Sequence, residues 1–409
     1  MLRLGVGLFV GVYVARYLGP ERFGTLSYAM SVIVLFSVLS SLGLNTIIVR
    51  ELVSFPDKRD DFLGTAFILK LAGAGLVFLL LSVILYVNKS YGQDGLIILI
   101  IAAGLLFQAF NVIQFYFEAN VLAKFIAVSQ MVSLIVVSIA RLAFIWLEMP
   151  LIYFAWAVLI ESLILGIGLV VVYCRQKLKI WKWRFKFRTA AGLLKNSWPL
   201  ILSGIAVSLY MRIDQVMIKK MLDAEAVGQY AAAVRLSEAL YFVPTVITAS
   251  LFPAMMNAKK NSEELYRQRL MQMFSLMVWI SVSLSLFFTF SSKHIVVFLY
   301  GEEFLESGSV LAIHIWASVS VFLGVVSGKH LLVENFIKLC FLRVVIGAFS
   351  NLLLNFALIP QFGIRGAAIA TGLSYFIAVF FVILIPKTYK HGLMMLQSFN
   401  PFFRSTRIQ

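Results

Sequence analysis

Eight charged residues stand inside runs that are otherwise apolar: Lys70, Arg141, Arg212, Arg235 and Arg343, against Glu161, Asp214 and Glu238. A charge at that depth is costly in hydrocarbon and survives where it meets a partner or a water-filled path. Guanidinium groups bind phosphate oxygens bidentately, so arginines gathered along such a path would hold an anionic guest. Carboxylates in the same place would take up a coupling H+ or Na+. Arg235 and Glu238 are three apart on one helix face and are placed to pair. Arg212 and Asp214 point about 200° apart on a helix, so each needs a partner on another element. With Arg16 near an outer helix end and Arg50 in a connection, the cationic set is Arg16, Arg50, Arg141, Arg212 and Arg235. Asp214, Glu161 and Glu238 are the ion-coupling candidates. Two plainer readings stand beside these: Arg16, Lys70 and Arg343 snorkel to headgroups, and the acids are static salt-bridge partners.

Other chemistry finds little support. The chain has no Walker A, GxSxG or HExxH motif, and no connection is long enough to house an enzyme site. It is read as a non-enzyme that needs no cofactor beyond a coupling ion. His294, His314, His330 and His391 are scattered; only His314, near a span start, suits proton shuttling, and a lone interfacial histidine is as readily incidental. Cys174 and Cys340 lack metal spacing and read as buried small hydrophobes rather than a disulfide.

The elements that position these groups are membrane spans. Of 409 residues 61% are hydrophobic and 13% charged, where a soluble domain carries about 25% charged. Apolar runs fall near 2–18, 25–48, 62–87, 95–117, 125–147, 151–174, 197–218, 228–256, 268–290, 309–332, 337–359 and 364–386. These predict an all-α polytopic membrane protein of about twelve transmembrane helices, since helices satisfy their own backbone in lipid. The first run resembles a signal peptide but has no small-residue cleavage site. It is read as a first span, short enough to leave room for a start upstream of Met1. Pro20 and Gly24 are expected to bound the break between the first two spans.

Net charge is +16, yet the basic residues sit at span ends, which argues against nucleic acid. Alternate connections hold 23 Lys and Arg on one side and seven on the other. That split predicts cytoplasmic termini and an even number of spans. The longest polar segment, RQKLKIWKWRFKFRTAAGLLKN (175–196), holds eight basic residues and no acid. It reads either as a lipid-binding strap or as an anchor joining two halves.

The halves echo one another. LGPERFGTLSYAM from Leu18 aligns with LDAEAVGQYAAAV from Leu222, and FQAFNVIQFYFEAN (107–120) with LGVVSGKHLLVENF (323–336). The expected organisation is a six-helix lobe over 1–174, a basic linker over 175–196, a second six-helix lobe over 197–386 and a cytoplasmic tail over 387–409. Parallel six-span repeats predict two lobes about a central cavity, with Tyr210, Gln215, Tyr230 and Tyr241 as candidate walls.

ARYLGPERFGTLSYAMSVIVLFSVLSSLGLNTIIVREL (15–52) resembles the opening of the polysaccharide-export flippases. These are the O-antigen and capsule repeat-unit translocases of the multidrug/oligosaccharidyl-lipid/polysaccharide exporter superfamily. NSWPLILSGIAVSLYMRIDQVMI (196–218), VGQYAAAVRLSEALYFVPTVITASLFPAMM (227–256) and NLLLNFALIPQFGIRGAAIATGLSY (351–375) agree. The resemblance implies alternating access and a polyprenyl-diphosphate oligosaccharide moved from inner to outer leaflet. It also implies membrane lipids as partners, together with a polysaccharide polymerase and a chain-length regulator. Arg16, Arg50, Arg212, Asp214 and Arg235 fall in its matching motifs. The short first span departs from the pattern, as does the lack of an extra pair of spans that several relatives carry. Rival readings are cation-coupled drug efflux within the superfamily, a membrane polysaccharide polymerase, and a non-transporting scaffold.

Overall fold

A computed structural model describes residues 2–89 and 92–400, with side chains from residue 5. The Arg3 side chain and the tail residues Arg404 and Arg407 lie outside the described residues. Regular structure among the described residues is entirely helical. The chain divides into two compact units, Met1–Val216 and Met217–Gln409.

The first unit holds α1 (Leu2–Ser41), α2 (Leu44–Ser54), α3 (Arg59–Val87), α4 (Gln93–Phe107), α5 (Val112–Ala119), α6 (Ala123–Trp146) and α7 (Leu151–Arg175), with most of α8 (Phe187–Met221). In it α1 packs on α3, α4 and α6, and α7 packs on α4 and α6. The second unit holds α9 (Ala224–Glu238), α10 (Phe242–Asn261), α11 (Glu263–Tyr300), α12 (Leu305–His314), α13 (Ala317–Val333), α14 (Ile337–Phe380) and the short α15 (Tyr389–Gln397). There α11 packs on α10, α12 and α13, while α14 packs on α12 and α13.

Nine helical segments among the described residues are long and apolar enough to cross a membrane, and the bent pair 302–333 makes a tenth. Two of the nine run for 50 and 48 residues, about 75 and 72 Å at 1.5 Å per residue. That is more than twice the hydrocarbon thickness of about 30 Å. Gly19 (φ 71°, ψ 171°) in the first and Gly363 (φ 58°, ψ −139°) in the second leave the helical conformation, and the first also holds Gly43 (φ 62°, ψ 15°) where α1 meets α2. At Gly363 the chain folds back, because a Cβ on Gly366 would collide with the Leu358 carbonyl, whereas a straight helix holds such residues about 12 Å apart. Counting two crossings in each long segment gives twelve.

The break between the first two spans is therefore a single residue with Pro20 beginning the next helix, not a loop bounded by Pro20 and Gly24. Gly24 is buried inside the helix. The corresponding break in the second half uses another device: Asp223 caps α9, its carboxylate accepting from the Ala226 amide at 2.8 Å. Spans four and ten close with one shared turn, in which Leu122 N–H donates to Phe117 O and Phe336 N–H to Leu331 O, each at 2.7 Å. Val121 and Asn335 take the left-handed conformation there. These turns lie 214 residues apart, so the matching letters that suggested an offset of 216 are out of register by two.

Several spans are interrupted within their length. The second breaks at Leu42–Gly43, both with positive φ. The fourth passes through a 3-10 turn at Gln108–Asn111, the eighth through one at Ala239–Tyr241, and the tenth bends by 44° between His314 and Ala317. At Gly43 a Cβ would stand 3.0 Å from Ile201 N and Ser197 O, so α8 passes directly against the broken backbone. Cys174 is exposed and Cys340 half-buried, both free thiols; neither is the fully buried hydrophobe expected.

Candidate functional site

In the first unit, Arg16 is exposed three residues before the Gly19 break. The neighbouring Tyr17 hydroxyl donates to Met149 O at 3.0 Å and fixes that helix end against the α6–α7 turn. Arg50, near the end of α2, is exposed and pairs with adjacent Glu51 at 2.8 Å. Arg141 on α6 donates to Glu161 on α7 at 2.7 Å, with side chains 21% and 34% exposed. The cationic and acidic roles expected of these two residues thus meet in one ion pair.

Lys70 is 5% exposed. Its ammonium rests 4.9 Å from the Phe115 ring centre, a cation–π contact of the kind worth most when water is absent.

Asp214 and Gln215 are buried on α8, and the Ser31 hydroxyl donates to Gln215 Oε1 at 2.7 Å. Because α8 runs to Met221, Asp214 lies seven residues from its end, roughly 10 Å. That is farther from the helix end than a span ending at 218 implied. Arg212, on the same helix, is half-buried.

In the second unit α9 starts at Ala224, which puts Arg235 eleven residues in, about 17 Å from the helix start. Glu238 ends α9 at the 3-10 turn Ala239–Tyr241. Both are half-buried, and Arg235 lies within electrostatic range of the Tyr300 phenol.

Around α9 sits a buried polar network, of which sequence reasoning singled out Tyr230 and His314 but missed Gln229, Ser237, Ser307 and Thr371. Gln229 accepts from Ser307 N at 3.0 Å and Ser307 Oγ at 2.7 Å, and donates to Glu303 O at 2.6 Å. His314 Nδ1 lies 3.0 Å from Ser237 Oγ, and the Tyr230 and Thr371 hydroxyls are 3.2 Å apart. Tyr230 and Gln215, proposed cavity walls, are thereby taken up inside their own units. The signal available was polarity without charge in spans, which a search for ionised groups passes over.

Each unit thus carries a guanidinium and a carboxylate within its helices, Arg212 and Asp214 in the first and Arg235 and Glu238 in the second. Among the described residues no cluster of three or more His, Cys, Asp or Glu side chains is placed to hold a metal.

Residues 1–259 match the profile of the family described as Polysaccharide biosynthesis protein. The chain belongs to that family. The matched region takes in every candidate from Arg16 to Glu238 and leaves out Arg343. Among its relatives is the probable low-salt glycan biosynthesis flippase Agl15 of Haloferax volcanii, 25% identical over 382 residues, covering 91% of this chain and 78% of the relative.

The family fold is shared with solved transporters. A lipid II flippase MurJ in an inward closed conformation superposes with a TM-score of 0.73 at 18% identity, covering 97% of this chain and 89% of that one. An inward-facing multidrug resistance MATE family transporter of the MOP superfamily gives 0.70 at 14% identity, over 97% and 96%. The chain is thus a multi-pass membrane protein of the polysaccharide biosynthesis family with a MurJ- and MATE-like fold.

Proposed function

We propose that this protein is a flippase for a polyprenyl-diphosphate-linked oligosaccharide, an O-antigen, capsule or exopolysaccharide repeat unit. It moves the headgroup from the inner to the outer leaflet of the cytoplasmic membrane by alternating access, with both termini cytoplasmic. The observation that carries this reading is the depth of Arg212 and Arg235, cations well inside spans. A diphosphate is the lipid headgroup chemistry that such residues bind best. Relatives named as a glycan biosynthesis flippase and a lipid II flippase support the same class of cargo.

No bond need be made or broken, so the protein acts as a transporter rather than an enzyme. Arg50 would make an early contact near the inner face and Arg16 a late one near the outer face, with Arg212 and Arg235 for the passage between. A gradient of H+ or Na+ drives the cycle through Asp214 and Glu238. Glu161 comes third, since Arg141 already engages it. The six-span halves over 1–174 and 197–386 are a repeat joined by 175–196. A polysaccharide polymerase and a chain-length regulator are the partners that would receive the product.

The test is reconstitution in vesicles with a polyprenyl-diphosphate oligosaccharide and a leaflet-accessibility readout. Arg212→Ala and Arg235→Ala are expected to lose translocation while staying folded. Parent-like transport by both would sink the cationic-path reading. Export of hydrophobic cations in place of the glycolipid would favour drug efflux, the reading that the MATE-like fold keeps alive.

A further inference from the structure

The segment between α7 and α8 is a built surface rather than a slack tether. From Trp183 to Arg188 the chain alternates aromatic and basic residues, WRFKFR, and it leaves Trp183 in extended backbone (φ −62°, ψ 133°). Trp183 is drawn inward: its ring lies 5.6 Å from Phe67 and 5.9 Å from Tyr173, and its indole N–H donates to the Tyr173 hydroxyl at 3.3 Å.

The backbone is then pinned to the start of α3. Arg184 N–H donates to Asp60 O at 3.1 Å and Lys186 N–H to Thr65 Oγ1 at 3.1 Å, while the Lys186 ammonium pairs with Asp61 at 2.5 Å. Gly64 permits this approach, since a Cβ there would stand 2.5 Å from Arg184 N.

What the pinned segment presents outward is unusual for a water-facing loop. Trp181 and Phe187 are 77% and 81% exposed, and Phe185 is 48% exposed. Lys177, Lys179, Lys182, Arg184 and Arg188 are also exposed. Among the described residues none of these five cations forms an ion pair; Lys186 alone in the segment does. Orientation by positive charge requires only that cations be present on one side. It requires neither a fixed backbone nor three bare aromatic rings. Rings of this kind settle at headgroup depth, and cations beside them meet lipid phosphates.

We propose that residues 177–188 form a binding strap for anionic phospholipids of the leaflet at which α7 ends and α8 begins. The rings of Trp181, Phe185 and Phe187 seat in the interface, and Arg184, Arg188 and the lysines hold headgroup phosphates. The strap is independent of the cargo proposed above.

The experiment measures binding of phosphatidylglycerol, with phosphatidylcholine as the zwitterionic comparison, to the purified full-length protein. Three variants are compared with the parent: Arg184→Gln/Arg188→Gln, Trp181→Ala/Phe187→Ala, and a charge-matched control, Lys387→Gln/Lys390→Gln. Each lost cation is expected to weaken phosphatidylglycerol binding roughly fivefold, so the arginine pair costs about twenty-fivefold. The aromatic pair is expected to weaken it several-fold, and the control to leave it near the parent value. All substituted residues are exposed, and thermal unfolding verifies that each variant is folded. Parent-like binding by the arginine variant, or an equal loss in the control, would overturn the proposal. So would phosphatidylcholine binding as tightly as phosphatidylglycerol.

Discussion

Arg141 on α6 donates a hydrogen bond to Glu161 on α7 at 2.7 Å, joining neighbouring spans through an ion pair. Removing one partner leaves a charge stranded at depth, whereas removing both does not. Arg141→Ala and Glu161→Ala should each destabilise by about 2 kcal/mol. The double variant should cost less than the sum, with a coupling near 1 kcal/mol as for other interhelical polar pairs in membranes. Thermal unfolding in detergent across this cycle measures it; strictly additive losses would mean that the pair does not act as one.

Gly43 makes a second, purely steric prediction. Its φ of 62° disfavours any side chain, and a Cβ would press on Ile201 N and Ser197 O at 3.0 Å. Gly43→Ala should cost about 1–2 kcal/mol for the left-handed backbone, plus whatever α8 must yield. A melting temperature unchanged within error would show that the break in the second span relaxes freely.

Gln229 satisfies three groups of the Glu303–Ser307 turn with one side chain. Gln229→Leu keeps much of the volume but orphans those groups, and should destabilise by roughly 2–3 kcal/mol. Gln229→Glu should retain the two bonds it accepts and lose the one it donates, falling between. Denaturation midpoints of the three proteins should therefore rank parent, Glu, Leu.

α15 is predicted to dock in a pH-dependent way. His391 is 5% exposed; its ring stacks 4.2 Å from that of His330, and its Nε2 lies 2.9 Å from Ser327 Oγ. Phe274 packs on it from α11, Tyr266 and the Lys259–Glu334 ion pair stand behind His330, and Arg343 approaches from α14. Burial, then His330, then Arg343 hold the His391 pKa well below its ordinary 6.5. A released His391 would take a proton near pH 6.5, so docking is at full strength above that value. It weakens by up to tenfold per pH unit below it. Proteolysis of residues 385–400 should accelerate from pH 7.5 to 5.5, and His391→Gln should flatten that response. An identical profile in the variant would remove His391 as the cause.

For transport, Arg235→Lys should retain part of the rate that Arg235→Ala loses, a deficit of roughly tenfold or more for one charge-assisted contact. Asp214→Asn should leave binding of the glycolipid intact while abolishing the response to a proton or sodium gradient. A gradient response equal to the parent's would release Asp214 from the coupling role. The assay is the vesicle translocation measurement with and without an imposed gradient.

Much of this was legible in the chain itself, because hydrophobic length and side-chain charge are local properties. An apolar run of the right length forms a helix in lipid wherever it is placed, so the count of about twelve crossings follows from composition and spacing. The embedded charges are visible for the same reason. The helix ends were less legible: α8 and α9 continue past the apolar runs into polar residues, so Asp214 and Arg235 lie farther from a helix end than the runs alone indicate.

Only the tertiary structure decided the partners. Arg141 and Glu161 are 20 residues apart, Ser31 and Gln215 are 184, and Gln229 and Ser307 are 78; each pairing depends on how helices pack, which no periodicity encodes. The helix breaks at Gly19 and Gly363 are glycines like many others here, selected as breaks by what lies around them. The basic linker shows the division plainly. Its charge and aromatic content are written in the sequence, but its fixed backbone arises from Asp60, Gly64 and Thr65, more than a hundred residues away.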